Sequence, residues 1–426
     1  MYDIVIRNGY LADRDAVVDI AVDNGNIVTV SSDVSAEGAK EIDAGGDLVS
    51  PGFVDCHVHI DRAFASAGER TPCCNDIPFH KRDYNKLFDE YYKNITTEEL
   101  KKRAVENIQR AAAKGTTQLR THICVDHPIG TETMEACLYA KEQTEHLVDL
   151  QLVPGGYRGI ANDRSEQLVR EALEMGLDHP STDDSDVLLG GIDPTPRNHD
   201  IENTIDTWFE VATDYDVDMD IHIQEGGNIG THTLERLAAK AEQNDYVGRV
   251  VASHSFSLAE APDWRLDELI EQFGAVDINI VTCYSSTRCS MPIRSLVEGG
   301  IIVGHGTDND EDFVLQGQSD TLVGLLIECF KLHGKPTVDS DFRWYESNDG
   351  LSLLWGMATA DGANVLNLAD YGIEEGTPGN LIVFDEPSPQ WAIIRQANRS
   401  KVIKNGTVVA EDGELLPEQT VVDWSP

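Results

Sequence analysis

Pro51-Gly52-Phe53-Val54-Asp55-Cys56-His57-Val58-His59-Ile60-Asp61 is the stretch on which the reading of this chain turns. A Pro-Gly turn leads into an apolar run, and within that run a single valine separates two histidines. Successive side chains on a strand point to opposite faces, so His57 and His59 face the same way. Two imidazoles converging from one strand make half of a transition-metal site, because neutral imidazole suits zinc, iron and related ions. Alone, an HxH pair reads as easily as two histidines on a half-exposed strand. The metal reading gains from further ligand types much later in the chain, each again at the end of an apolar run.

Seven more apolar runs with strand character lie at 118–124, 148–153, 187–192, 219–223, 250–253, 278–283 and 301–303. Helix-like segments alternate with them at 98–114, 134–146, 166–175, 201–215, 234–242 and 266–273. With the run at Val54 this makes eight strand candidates. Strands alternating with amphipathic helices imply βαβ units, and eight of them predict an α/β fold, a closed (β/α)8 TIM barrel. An open doubly wound sheet fits less well, since no GxGxxG follows the first strand.

Outside the barrel the chain changes style. Strand-like runs at 2–7, 18–22, 27–30 and 41–43 are punctuated by Asn8-Gly9 and Asp23-Asn24-Gly25-Asn26, which is hairpin chemistry. The C-terminal part repeats the pattern at 379–385, 400–403 and 407–410, with Asn405-Gly406 between the last two. The two ends are expected to pair into one small β-sandwich domain, residues 1–50 plus 375–426. The barrel, residues 51–374, would be inserted between them.

Composition limits the function classes. A chain of 426 residues with 41% hydrophobic residues suits one large barrel plus a smaller domain. A net charge of −42 repels phosphates, which argues against nucleic acid and anionic membranes as partners. The acidic residues are spread through the chain, and a high-salt cytoplasm would explain them, because salt screens self-repulsion. The eight cysteines contain no CxxC pair. Cys56 and Cys283 sit in apolar runs as small core residues, while the adjacent Cys73-Cys74 poorly suits disulfide geometry. A reduced, cytoplasmic and soluble protein is expected, because no run approaches the length of a membrane span and the N-terminus lacks a signal pattern.

In a TIM barrel the chemistry belongs at the C-terminal ends of the strands. The polar residues there are His57 and His59 after strand one, His122 after strand two, and Tyr157 beyond strand three. Asp193 follows strand four, His222 and Glu225 strand five, His254 strand six, and Asp308 strand eight. Each singly reads as a hydrogen-bonded structural residue or, for Asp308, a turn residue. Jointly, at successive strand ends, they point to a metal centre.

The set His57-Val58-His59, His222, His254 and Asp308 on such a barrel resembles the metal-dependent amidohydrolase superfamily. Residues Val54 through Asp61, Arg120-Thr121-His122, His222-Ile223-Gln224-Glu225 and Ser253-His254 resemble its cytosine deaminase-like branch. Other stretches resemble the triazine aminohydrolases acting on N-isopropylammelide. These are Val281-Thr282-Cys283-Tyr284-Ser285-Ser286-Thr287 with Met291-Pro292, Gly190-Gly191-Ile192-Asp193-Pro194, and Ser388-Pro389-Gln390-Trp391-Ala392-Ile393-Ile394. Two departures stand out: Tyr157 where both kinds of relative carry a glutamine, and Gln224-Glu225 where the triazine enzymes carry His-Asp.

The chemistry follows. Displacing an amine from a heteroaromatic carbon at neutral pH needs a nucleophile stronger than free water, and a bound metal supplies one by lowering the pKa of water. One divalent ion, zinc or iron, is expected on His57, His59, His222 and Asp308. Asp308 would also accept the water's proton, Glu225 would protonate the ring nitrogen and then the amine, and His254 would polarise the attacking oxygen or the developing tetrahedral centre. Tyr157, Gln224, His122 and Asn309 are assigned to the substrate. The run 187–194 has no lysine, so a two-metal centre of the dihydroorotase or hydantoinase type is disfavoured. The expected activity removes an exocyclic amino or alkylamino group from a pyrimidine or triazine, in the manner of cytosine deaminase. The alternatives are an N-isopropylammelide-type aminohydrolase and hydrolysis of another cyclic or acyclic C–N bond; a non-catalytic ligand-binding barrel fits poorly. The expected partners are a small heterocyclic substrate and further copies of the chain.

Overall fold

The computed structural model describes residues 1–66, 84–284, 291–312, 317–331 and 344–423. Cys73-Cys74 and Ser285-Ser286-Thr287 lie outside the described residues.

Eight parallel strands pair in chain order. They are Phe53–Val58, Thr116–Cys124, Asp149–Gly155, Leu189–Ile192, Met219–His222, Val250–Ser253, Asn279–Cys283 and Val303–Gly306. The eighth returns to the first through a bridge between Val58 and Asp308. There the Asp308 N–H donates to the His57 carbonyl at 2.7 Å, and the His59 N–H to the Asp308 carbonyl at 2.9 Å. This near-closure depends on Gly306: a Cβ on it would lie 2.6 Å from His57 Cβ, so only glycine lets the two strands approach. The eight expected runs all became strands. The last sits further along than its apolar residues suggested, because Gly304 and Gly306 replace bulk where the barrel closes.

Every residue of Phe53–Val58 is buried. Val54 and Cys56 face the lumen and pack with Val251, Val281 and Cys283. A register shift against strand two between Asp55 and Val58 then brings His57 to that same side, while Asp55 bonds to Thr307 beside strand eight. Helices expected from periodicity form where capping residues begin them. Thr96 accepts from Glu99 N, Asn162 from Ser165 N and Asp200 from Asn203 N, starting Thr97–Ala113, Asp163–Leu177 and Ile201–Tyr215. The helix Thr97–Ala113 buries Leu100, Ala104, Val105 and Ile108 against the barrel. Burial of each such aliphatic side chain is worth roughly 1.5–3 kcal/mol for the larger ones. The short helix Pro389–Arg395 was not expected; Ser388 caps it and Pro389 opens it.

The chain ends build two small sheets. Tyr2–Leu11, Ala16–Asp23, Asn26–Ser31 and Gly38–Asp43 form one. In the other, the N-terminal strand Val49–Pro51 joins four from the C-terminal part: Leu381–Phe384, Arg399–Lys404, Thr407–Glu411 and Glu414–Leu415. Ile4, Ile6, Ile20 and Val22 from the first share a core with Leu381, Val383, Ile403 and Val408 from the second. Asn24-Gly25 and Asn405-Gly406 turn the chain with positive φ at both residues, as hairpin chemistry requires. Asn8-Gly9 does not. It lies inside Tyr2–Leu11 at a shift in register, with Asn8 at φ 54° and its N–H on Asp19 Oδ1 at 3.0 Å. The left-handed residue makes a bulge because its strand keeps a partner on both sides.

Candidate metal centre

The strand ends converge on a buried cluster of imidazoles. His57, His59, His122, His222 and His254 are each at most 2% exposed. His222 Nε2 stands 3.3 Å from His59 Nε2. Asp308 Oδ1 stands 3.6 Å from His59 Nε2 and 3.9 Å from His57 Nε2. A tetrahedral ion with arms of ~2.1 Å has ligand–ligand edges of ~3.4 Å, so these separations are those of atoms sharing one ion. Two imidazole nitrogens facing each other at 3.3 Å with a carboxylate oxygen beside them fit a divalent metal.

Proton positions agree. His59 Nδ1 lies 3.2 Å from the His122 carbonyl, which can only accept, so Nδ1 carries the proton and Nε2 presents its lone pair. Burial and the neighbouring imidazoles hold His57 and His222 well below the usual histidine range; for His59 the causes are burial and the Arg62 charge. Neutral imidazoles are what a metal needs.

His254, at φ 67°, places its ring centroid 4.7 Å from His57 and 5.1 Å from His222. Tyr157 is buried beyond strand three with its ring edge-on to His222 at 5.2 Å and to His59 at 5.9 Å, and its hydroxyl has no hydrogen-bond partner among the described residues. His122 sits among the imidazoles, its ring 4.0 Å from His57. Nitrogens of His57, His122 and His222 lie within 4.8 Å of one another, so His122 is placed as close as a ligand would be. Asn309 is buried, its Oδ1 accepting from Arg62 Nη2 at 3.1 Å while Nδ2 has no partner among the described residues.

Glu225 is held from the side. Its Oε1 accepts the Thr195 N–H at 2.7 Å and its Oε2 the Thr233 hydroxyl at 2.6 Å. Gln224 is half-buried, and its N–H donates to Asp193 Oδ1 at 2.6 Å, which also accepts Glu225 N–H at 3.0 Å. Burial, reinforced by the Glu225 charge, pushes Asp193 up to about 7 despite those bonds. Asp193 therefore shapes the loop that presents Gln224 and Glu225.

Below the imidazoles lie residues that sequence reasoning passed over. Ser253 Oγ donates to Asp220 Oδ1 at 2.6 Å, and Arg120 Nη1 donates to Asp220 Oδ2 at 2.9 Å. Burial alone would raise Asp220, but His122, Arg120 and Ser253 hold it down to about 2. On strand one, Asp55 accepts from the His57 N–H at 3.2 Å, the Thr307 N–H at 3.0 Å and the Thr307 hydroxyl at 2.6 Å, tying strand one to the strand-eight loop. The signal for Asp220 was available: it precedes His222 by two residues, and strand alternation turns both into the lumen. On strand one the register shift after Asp55 breaks that alternation.

Comparison with known proteins agrees with this geometry. Residues 48–409 match the amidohydrolase family. Over 418 residues the chain is 40% identical to the N-isopropylammelide isopropyl amidohydrolase of Pseudomonas sp. (strain ADP), covering 97% of this chain and 99% of that protein. The N-isopropylammelide isopropylaminohydrolase structure from Burkholderia multivorans superposes with a TM-score of 0.85 at 22% identity, covering 98% of this chain and 100% of that one. The 5-methylcytosine deaminase structure from Klebsiella pneumoniae gives 0.80 at 24%, covering 96% and 97%. An eight-stranded barrel with a buried histidine–aspartate cluster at its mouth, and sequence identity running along nearly its whole length, make this chain a member of the amidohydrolase family.

Proposed function

We propose that the protein is a hydrolase that removes an alkylamino group from a hydroxylated triazine, with N-isopropylammelide as the model substrate. The observation that carries this reading is the end-to-end 40% identity with an N-isopropylammelide isopropyl amidohydrolase. It moves the alkylaminotriazine ahead of the cytosine-like substrate that the Glu225 motif favours. The buried cluster of three imidazoles and a carboxylate supports the hydrolytic part.

His57, His59, His222 and Asp308 would hold one divalent ion, zinc or iron, which when bound supplies Lewis acidity towards an incoming water. Asp308 takes a proton from that water, and its oxygen adds to the ring carbon bearing the alkylamine. Glu225, protonated at the outset, gives its proton to the ring nitrogen, takes up the water-derived proton held by Asp308 and passes that to the departing nitrogen. As the ring carbonyl forms, the remaining hydroxyl proton restores Glu225. Its two present bonds leave lone pairs free on both oxygens, so a proton can be taken up without breaking either bond. The C–N bond breaks, the amine leaves and the ring retains oxygen. His254 stabilises the developing negative charge. Tyr157 packs its ring against the substrate's flat face, and Asn309 Nδ2, left without a partner, donates to one ring edge.

The test is product analysis with metal-depleted protein reloaded with zinc or iron. N-isopropylammelide, cytosine and 5-methylcytosine are supplied, and isopropylamine and ammonia are measured. Isopropylamine release from N-isopropylammelide, at a kcat/KM above that for either cytosine, is expected. Faster ammonia release from a cytosine would return the substrate to the pyrimidines, and no metal-dependent turnover on any of the three would sink the reading.

A further inference from the structure

The polarity of one buried hydrogen-bond chain can be read from its members. Asp220, Ser253 and His57 come from strands five, six and one, and all are at most 1% exposed. Ser253 Oγ lies 2.6 Å from Asp220 Oδ1 and 3.1 Å from His57 Nδ1. Asp220 also accepts from Arg120 Nη1 at 2.9 Å, with His122 Nε2 at 3.5 Å, an arrangement that suits a carboxylate. An ionised carboxylate only accepts, so the single Ser253 proton points to Asp220. The Ser253 oxygen is left with lone pairs alone, and the short contact to His57 is then a bond donated by Nδ1–H.

From this we propose that Ser253, oriented by Asp220, is a positioning residue that locks His57 in the tautomer with its proton on Nδ1 and its lone pair on Nε2. Among the described residues His57 Nε2 has no hydrogen-bond partner, and it lies 3.9 Å from Asp308 Oδ1, on the side where the ion would sit. His59 reaches the same tautomer through a backbone carbonyl, which mutation cannot remove. His57 depends on a hydroxyl, so the metal affinity of the centre depends on residue 253. The inference rests on the metal-site reading above.

Zinc affinity tests it, measured by competition with a chromophoric chelator on metal-stripped full-length protein alongside the melting temperature of the apo form. Ser253→Ala should bind zinc 10- to 100-fold more weakly, the usual range for lost outer-shell partners, while still melting cooperatively without metal. Ser253→Thr and Ser253→Val share one shape and differ by the hydroxyl, so they separate the relay from packing if the alanine variant fails to fold. Threonine should bind close to wild type, and valine should lose affinity as alanine does. Equal zinc affinity in the threonine and valine variants, or wild-type affinity in the alanine variant, overturns the relay. Wild-type protein that binds no zinc or iron would instead overturn the metal-site reading itself.

Discussion

Glu225 is gripped by two donors, Thr195 N–H and Thr233 Oγ1–H, neither of them an imidazole of the cluster. A Glu225→Gln variant should therefore keep its metal while losing turnover by roughly 10²- to 10⁴-fold, the usual worth of a positioned proton carrier. Metal analysis beside steady-state rates checks this, and near-wild-type turnover would remove Glu225 from the proton path. Tyr157 makes a different prediction. Its hydroxyl is buried without a partner among the described residues, so a substrate group that pairs with it gains more than one that leaves it bare. Tyr157→Gln should change the order of kcat/KM among N-isopropylammelide, cytosine and 5-methylcytosine as well as lower it. An unchanged order would show that the ring, and not the polar end, is what matters at this position.

Elements are tied at the barrel mouth by buried carboxylates, and one of them gives a pH prediction. Asp126 follows strand two and accepts the Arg158 N–H, beyond strand three, at 2.7 Å; burial pushes it up to about 6. A carboxyl raised in the folded state binds more protons there than in the unfolded chain, so stability falls as pH rises from about 4 through about 6. Asp126→Asn keeps the accepting oxygen and removes the titration. It should gain on wild type by about 3 kcal/mol between pH 4 and 7, read from urea unfolding at both ends. A gap that does not change with pH would contradict this. The elements themselves were largely legible, because strand and helix periods differ and caps such as Thr96, Asn162 and Asp200 mark the starts. Asn8-Gly9 misled, since a left-handed pair bulges or turns according to strand pairing that lies elsewhere in the chain. His57, His59, His222 and Asp308 could be read because strand ends in a barrel are fixed by topology. The grip of Thr195 and Thr233 on Glu225 could not, because it depends on how two loops fold over the strand ends. Asp220 was readable by the alternation that places His222, yet a carboxylate in an apolar run draws less notice than an HxH pair. Asp55 was not, because the register shift ahead of His57 depends on pairing with strand two.

At the scale of the whole molecule the dominant number is a net charge of −42. Half-buried cations such as Arg249, Arg236 and Arg170 are already engaged by acids, so the surplus carboxylates repel one another. Shortening the Debye length from about 10 Å at 0.1 M salt to about 3 Å at 1 M should raise the melting temperature as KCl is added. A flat profile in differential scanning calorimetry would show that the charges are too dispersed to matter. The pairing of Val49–Pro51 with the C-terminal strands has a consequence of another kind. Gly52, just ahead of strand one, donates its N–H to the Asn380 carbonyl at 2.9 Å and takes the Tyr371 hydroxyl on its own carbonyl at 2.7 Å, across 319 residues. At ~5–20 residues per second, a ribosome delivers those partners ~15–65 s after Gly52 itself. For that interval each nascent chain carries His57 and His59 without the segments that enclose them, so these histidines are shut away from solvent only after most of the chain has been made.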